Sequence, residues 1–272
     1  MSASGVQQAV KHRLRRERQQ LNVAKASALQ EQLPMPLRRC AIAAQGKGVS
    51  SWLSVLPLDS QGFALHKGAF RDALALRYDW PFQHLAQTCS CGASLDAALV
   101  CCHNGFTTLR HNHLRDLTCD LLDEVCPSVV SEPPLQPLSG EQLPASANQS
   151  DDARADIKVR GFWNRCEDAF LDVQVFYPFA PSYQNSQLKS LYCRHELQKK
   201  REYGQRVREI EHGAFTPLVF TAGGGMAPEA TVFYKQLASL LSEKHGECYS
   251  VVMGWLRCKL SFCLLRSSLL CL

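Results

Sequence analysis

Two short segments with alternating polar and apolar residues place the strongest constraint on the fold of this chain. They read ARADIKVR over 153–160 and DAFLDVQVFY over 168–177. Because side chains along a strand point to opposite faces in turn, the alternation predicts two β-strands. The first predicted strand has one polar face, made of Arg154, Asp156, Lys158 and Arg160. The second has one apolar face, made of Ala169, Leu171, Val173 and Val175.

Each predicted strand places one acid among apolar neighbours. Asp156 lies in the first strand, and Asp172 lies in the second on the face shared with Gln174. If the strands are adjacent, the two carboxylates are close enough to hold one divalent cation. Mg²⁺ takes one or two carboxylates together with phosphate oxygens and water. The alternative interpretation is that both acids lie on the solvated face of a half-exposed sheet.

Length and composition limit the class of protein. With 272 residues, 46% of them hydrophobic, the chain is long enough for a substantial core in one large domain or two small ones. The net charge of +5 is modest, but basic residues concentrate at 11–18 and 199–208. Such runs suit a phosphate backbone or, alternatively, a solvated helix face.

The cysteines and the apolar C-terminal segment predict the compartment. There are 13 cysteines, and the first 20 residues lack the apolar core of a signal peptide. Reduced thiols in the nucleus or cytoplasm are therefore expected, and not secretion. Residues 251–272 are apolar, but Arg257, Lys259 and Arg266 interrupt them, so we expect a buried helix and no membrane span.

Residues 187–212 form the clearest predicted helix. Apolar and aromatic residues recur there at three- and four-residue steps, which places Lys199 on the same face as His195 and Tyr203. Lys199 is therefore predicted to turn toward the protein body. The alternative is a lysine whose stem covers the core while its charge stays in water.

The order of the remaining predicted elements indicates the fold class. Helices are predicted over 114–125 and 231–243, and strands over 128–135 and 216–221. The polar segment 133–152, rich in Pro and Ser, is predicted to be a loop that contacts substrate or a slack insertion. The order predicts an α/β (α+β) fold with a small mixed sheet flanked by helices.

A cysteine- and histidine-rich stretch precedes these elements. Residues 89–113 read CSCGASLDAALVCCHNGFTTLRHNH and supply more than the four thiolate or imidazole ligands that Zn²⁺ requires. The single-residue gap between Cys89 and Cys91 is tighter than the usual spacing of two to four residues. Reduced cysteines without a metal are the alternative.

Taken together, these motifs resemble a known family. Arg154-Ala155-Asp156 followed by Asp172-Val173-Gln174 is similar to the R/K-P-D … D-x-K/Q signature of restriction-like endonucleases of the PD-(D/E)XK superfamily. Such domains occur at the C-terminus of some non-LTR retrotransposon polyproteins, after a Cys/His knuckle and before a helix carrying K-x-x-x-Y. Lys199 and Tyr203 match that spacing. The resemblance covers roughly residues 89–203.

The resemblance implies a domain organisation and a structural zinc site. It implies a helical connector with a basic N-terminus (1–86), a Cys/His knuckle (87–113) and a restriction-endonuclease-like domain with a nuclease core (114–272). The expected zinc ligands are Cys89, Cys91, Cys101 and His111. Ala97 occupies the position where the family has a histidine, so Cys102 or His103 is an alternative ligand.

The resemblance also implies an activity, which is Mg²⁺-dependent hydrolysis of DNA at a target site. RNA is a further nucleic-acid partner, and no membrane partner is expected. Asp156 and Asp172 would hold Mg²⁺. The position two residues after the second acid, usually lysine, is Gln174, so Lys199 or alternatively Lys158 would supply the cation. Asp116 and Glu132 are candidates for a further acid. The expected DNA-binding residues are Arg154, Lys158, Lys200, Arg201 and Tyr203.

Three departures from the family pattern favour a second interpretation. Ala97 replaces a histidine, Ala155 replaces a proline, and Gln174 cannot carry a charge. These substitutions are typical of a catalytically decayed remnant that binds nucleic acid without cleaving it.

Overall fold

The computed structural model describes residues 3–78, 80–82, 92, 101 and 105–270. The chain divides into two compact units, Met1–Ile42 and Ala43–Leu272. Helix α1 (Ala3–Gln32) is exposed along most of its length, as expected for a solvated basic helix. Helix α2 (Met35–Ala44) begins directly after Pro34 and has Pro36 in its first turn. Proline is tolerated in a first helical turn because the N–H there has no partner within the helix.

A four-stranded mixed sheet organises the larger unit. Its strands are β1 (Ser128–Ser131), β2 (Ile157–Arg160), β3 (Asp168–Phe176) and β4 (Ala214–Thr221), in the spatial order β1-β2-β3-β4. The first three strands are antiparallel, and β4 runs parallel to β3. A parallel neighbour needs a long crossover, and residues 177–213 provide it.

The crossover is mainly helical and is continuous over Leu188–Glu209. It consists of α6 (Leu188–Lys199), a π-helical turn (Lys200–Gly204) and α7 (Gln205–Glu209). This confirms the helix predicted over 187–212. π-Helical turns are rare and occur frequently at functional sites.

The sheet is flanked by further helices of the same unit. They are α3 (Ser51–Ser54), α4 (Lys67–Tyr78), α5 (Phe106–Asp123), α8 (Pro228–His245) and α9 (Tyr249–Leu269). The main apolar core lies between α5, α8, α9 and one face of the sheet. A small mixed sheet flanked by helices is the predicted fold class, which the structure confirms. No helix among the described residues is long and apolar enough to cross a membrane.

The structure divides the chain differently from the expected domains. The boundary expected between residues 113 and 114 falls inside α5, which begins at Phe106. Helices α3 and α4, expected in the connector, belong to the same unit as the sheet. There Trp52, Phe63 and Ala73 pack with Phe262 of α9 in one apolar cluster.

Regular alternation in the first acid segment begins later than predicted. Strand β2 starts at Ile157, and Ala155 packs with Phe170 and Val207 rather than in the cluster that contains Ile157 and Val159. The cause is irregular pairing before Ile157, because the Ala155 N–H donates to the carbonyl of Pro133 at 3.2 Å. The faces predicted for the second acid strand are confirmed.

Candidate active site

The sheet brings Asp156 to the main chain beside Asp172. Ile157 and Leu171 form the last pair of the β2–β3 ladder, and Asp156 lies in a bend just before it. The Asp156 N–H donates to the Leu171 main-chain oxygen at 3.1 Å. Strand β3 continues past the start of β2, and there the Val173 N–H donates to Asp156 Oδ2 at 2.6 Å. The Asp156 carboxylate therefore contacts the residue that follows Asp172, although Asp156 itself does not lie in a strand.

Lys199 reaches Asp172 from the crossover helix. Its Nζ lies 3.0 Å from Asp172 Oδ2 and 3.9 Å from Glu202 Oε2. The same ammonium lies 5.5 Å from the ring centroid of Tyr203. Asp172 is only 4% exposed. The prediction that Lys199 turns toward the protein body is therefore confirmed, and the ion pair is largely shielded from water.

Burial and neighbouring charges shift the ionisation of this pair. Burial raises the pKa of Asp172 to about 7; Lys199 opposes the rise and the charge of Asp156 adds to it. Burial by itself lowers the pKa of Lys199, but the charge and hydrogen bond of Asp172, together with the charges of Glu202 and Tyr203, outweigh this and the net shift is upward. Lys199 therefore stays protonated, while Asp172 requires a nearby positive charge to stay ionised near neutral pH.

The two carboxylates are of the ligand type that hard divalent cations bind. They are like-charged, the charge of Asp156 acts on Asp172, and Asp172 is withdrawn from water. Among the described residues there is no group of three or more His, Cys, Asp or Glu side chains spaced to hold a metal. An ion held by Asp156 and Asp172 would complete its coordination with main-chain, phosphate or water oxygens, as Mg²⁺ commonly does.

Helix α5 contributes His111 to the same site. His111 Nε2 lies 3.0 Å from Asp156 Oδ2, and Nδ1 lies 3.2 Å from Asn112 Oδ1. Burial lowers the pKa of His111, but the hydrogen bond and charge of Asp156, with smaller contributions from Asn112 and Asp172, raise it on balance. Both ring nitrogens face acceptor oxygens, which favours the imidazolium. Within the described residues, this predicted zinc ligand contacts the carboxylate site instead.

The two candidates for a further acid are bound to one arginine. Arg115, one turn after His111, forms ion pairs with Asp116, at 2.8 Å, and with Glu132. Glu132 has a φ of 51°, and its N–H donates to the main-chain oxygen of Asp156 at 2.8 Å. Both carboxylates thus serve to hold Arg115, and Glu132 supports Asp156 through its main chain.

Gln174 lies on the same face of β3 as Asp172, but its amide bonds to a histidine. Its Nε2 donates to His195 Nδ1 at 3.0 Å, which leaves His195 Nε2–H to donate to the Tyr183 hydroxyl at 3.3 Å. Burial lowers the pKa of His195, and the charges of Arg194 and Lys199 lower it further. The histidine is therefore neutral, and Gln174 is held by it.

The expected DNA-binding residues fall into two groups. Arg154 and Arg201 are exposed. The others have partners within the protein: Lys158 pairs with Asp168 at 3.1 Å, Lys200 pairs with Glu229, and Tyr203 stacks on Phe215. Lys158 was the alternative source of a cation for the acids, and the structure brings Lys199 there instead.

Most of the predicted knuckle lies outside the described residues. Cys89, Cys91, Cys102 and His103 belong to that part of the chain. Cys101 is described and buried. The zinc site stays a prediction.

The involvement of His111 and Arg115 in the site was missed from the sequence. Their four-residue spacing was a usable signal, because residues four apart lie on the same face of a helix. The resemblance implied a zinc-ligand role for His111, and no role was predicted for Arg115.

Fold and site together define an α+β protein whose mixed sheet holds two carboxylates and a buried lysine. No protein-family model matches the chain, and no curated protein matches it. The functional assignment below therefore rests on the geometry of the site and on the motif resemblance.

Proposed function

We propose that this chain is a retroelement-derived, metal-dependent DNA endonuclease that nicks its target by phosphodiester hydrolysis. The proposal rests on one observation. The Asp156 carboxylate accepts a hydrogen bond from the Val173 N–H, next to Asp172, and Lys199 Nζ lies 3.0 Å from Asp172. Its expected compartment is the nucleus or cytoplasm.

The element order supports the motif resemblance. Helix α5, strands β1 to β3, the helical crossover and the parallel strand β4 follow one another as expected of a restriction-like nuclease core. The signature residues Asp156 and Asp172 lie at the centre of this order, and Lys199 lies at the end of α6.

Each residue of the site has a chemical task in this proposal. Asp156 and Asp172 would hold Mg²⁺, with the main-chain oxygen of Val173 as a further ligand. An ion held there would supply Lewis-acid chemistry, lowering the pKa of a water molecule and neutralising charge that develops on the phosphate. Lys199 positions the attacking water and is itself held by Asp172. His111 and the Val173 N–H fix the orientation of Asp156.

Nicking of supercoiled plasmid DNA tests the proposal. We expect the wild type to nick in Mg²⁺ and to be inactive in EDTA. Asp172→Asn is expected to slow nicking by about 100-fold or more, the effect of losing one charge-stabilising group. The matched control is Asp168→Asn on the same strand, whose carboxylate pairs with Lys158 and Arg160; its nicking rate should stay near that of the wild type. Equal nicking by the wild type and Asp172→Asn would remove Asp172 from the mechanism.

A second candidate function is a nucleic-acid-binding remnant that has lost cleavage. The observation that favours it is Gln174, a neutral residue whose amide is already bonded to His195. Salt-dependent DNA or RNA binding without any metal-dependent nicking would select this candidate.

A further inference from the structure

The long segment between β1 and β2 forms a polar cleft against the crossover helix. The cleft has a volume of about 750 Å³. Its polar lining consists of Asn148 and Gln149 from the segment, and Arg194, Gln198, Arg201 and Glu202 from α6 and the π-helical turn.

A buried arginine fixes this segment in place. Arg206 is fully buried and donates to the main-chain oxygens of Gln136, Asn148 and Ser150, each at 2.8 Å. The Asn148 N–H also donates to the main-chain oxygen of Glu202 at 2.8 Å. The segment is therefore an ordered wall of the cleft, held by hydrogen bonds, and not a loosely attached insertion.

The cleft has an excess of positive charge. Arg194 and Arg201 are exposed and both line it. The lining holds one acid, Glu202, against these two arginines, so positive charge is in excess; Lys199 lies 3.9 Å from Glu202 and closer to Asp172. Beneath the segment, Arg206 has no ion-pair partner among the described residues, so its charge adds to the field of the two exposed arginines.

A chain of contacts connects the cleft to Asp172. Asn148 Nδ2 donates to the Tyr203 hydroxyl at 3.4 Å. The Tyr203 ring lies under Lys199 Nζ, which in turn contacts Asp172. A strand bound in the cleft would therefore lie beside the carboxylate site.

We propose that this cleft binds the sugar-phosphate backbone of the nucleic-acid strand that enters the carboxylate site, an inference that rests on the proposed function. Guanidinium groups bind phosphate oxygens in a bidentate manner. Arg194 and Arg201 are seven residues apart, which is about 10 Å along a helix at 1.5 Å per residue. That spacing corresponds to about three nucleotides of one strand. Gln149 and Gln198 of the same lining can donate to phosphate and sugar oxygens, so the binding would be independent of sequence.

Fluorescence anisotropy of a labelled DNA duplex, measured in EDTA, tests the cleft without any chemistry. The variant is Arg194→Gln/Arg201→Gln. The control, Arg165→Gln/Lys235→Gln, removes the same charge from exposed positions outside the lining. We expect the cleft variant to bind roughly tenfold more weakly. Its salt slope should fall by about one for each arginine, and the control should stay within about twofold of the wild type. Equal affinities for the two double variants would overturn the proposal.

The two proposals fail in different ways. If Asp172→Asn abolishes nicking while Arg194→Gln/Arg201→Gln binds and nicks like the control, the cleft is overturned and the endonuclease stands. If no form of the protein nicks DNA but the cleft variant alone loses affinity, the cleft stands and the endonuclease is overturned. Thermal unfolding of both double variants should match the wild type, because all four side chains are exposed.

Discussion

The two faces of strand β3 have contrasting chemistry. On the apolar face, Leu171 and Val173 pack in the main core against α5, α8 and α9. On the polar face, beneath the crossover helix, Asp172 and Gln174 lie between Phe170 and Phe176. One alternating strand thus builds a closed core on one side and a reactive site on the other.

Each face satisfies its buried groups in its own way. The apolar face relies on shape: Phe233 stacks on Phe162 with ring centroids 4.5 Å apart, and the Tyr234 hydroxyl is satisfied by Thr118 at 2.7 Å. The polar face relies on pairing, because a buried charge is stable only with a partner. We therefore expect the free energy of unfolding to depend mainly on the apolar face, and the proposed chemistry to depend on the polar face.

The largest expected effect breaks the apolar face. Phe233→Ala removes a fully buried ring, which should lower the free energy of unfolding by about 3–5 kcal/mol. Urea denaturation followed by circular dichroism measures this. A loss below about 1 kcal/mol would show that the apolar face does not dominate stability.

The next prediction compares the nicking rates of variants at two adjacent lysines, at the end of α6. Lys199 points to the polar face and pairs with Asp172, whereas Lys200 pairs with Glu229 on the surface. Lys199→Gln should slow plasmid nicking by about 100-fold, since it removes a charge positioned at the reaction centre. Lys200→Gln serves as the matched control and should nick at nearly the wild-type rate. Equal rates for the two variants would contradict the assignment of Lys199.

A smaller effect concerns the pH dependence of stability in metal-free buffer. The pKa of Asp172 is about 7 in the folded protein, raised by burial above its ordinary value of 3.8. The folded state therefore keeps a proton that the unfolded state has released. The resulting stabilisation is complete below pH 3.8 and is lost as the pH rises toward 7. The slope is at most about 1.4 kcal/mol per pH unit.

Asp172→Asn lacks this titration and should not show the decline. Urea denaturation of both proteins between pH 4 and pH 8 measures the difference. Parallel stability curves for the wild type and Asp172→Asn would contradict the burial of an ionisable acid at this position.

The polar face was predictable from sequence because strand and helix periodicity are local signals. Alternation in DAFLDVQVFY placed Asp172 on a face with Gln174, and the helical period turned Lys199 inward. Both expectations agree with the structure. The approach of Asp156 to Asp172 followed from assuming that the two strands are neighbours; they are, and Asp156, in the bend before β2, reaches the Val173 N–H beside Asp172.

The rest depends on contacts between residues far apart in the chain. Arg206 belongs to the basic run at 199–208, for which a solvated helix face was one interpretation. It is nevertheless fully buried and donates to main-chain oxygens at residue 136 and within residues 148–150. His111 contacts Asp156 only because α5 begins at Phe106 and packs beside the sheet. Neither residue type nor local spacing encodes such partners.

Titration of the metal-free protein with Mn²⁺ by isothermal calorimetry tests the shared carboxylate site most directly. Mn²⁺ is a suitable probe because carboxylate and water ligands suit it, whereas thiolates favour softer metals. We predict one Mn²⁺ site in the wild type and in the control Asp168→Asn, and loss of that site in both Asp156→Asn and Asp172→Asn. Unchanged Mn²⁺ binding in the last two variants would contradict the claim that these two acids hold one ion.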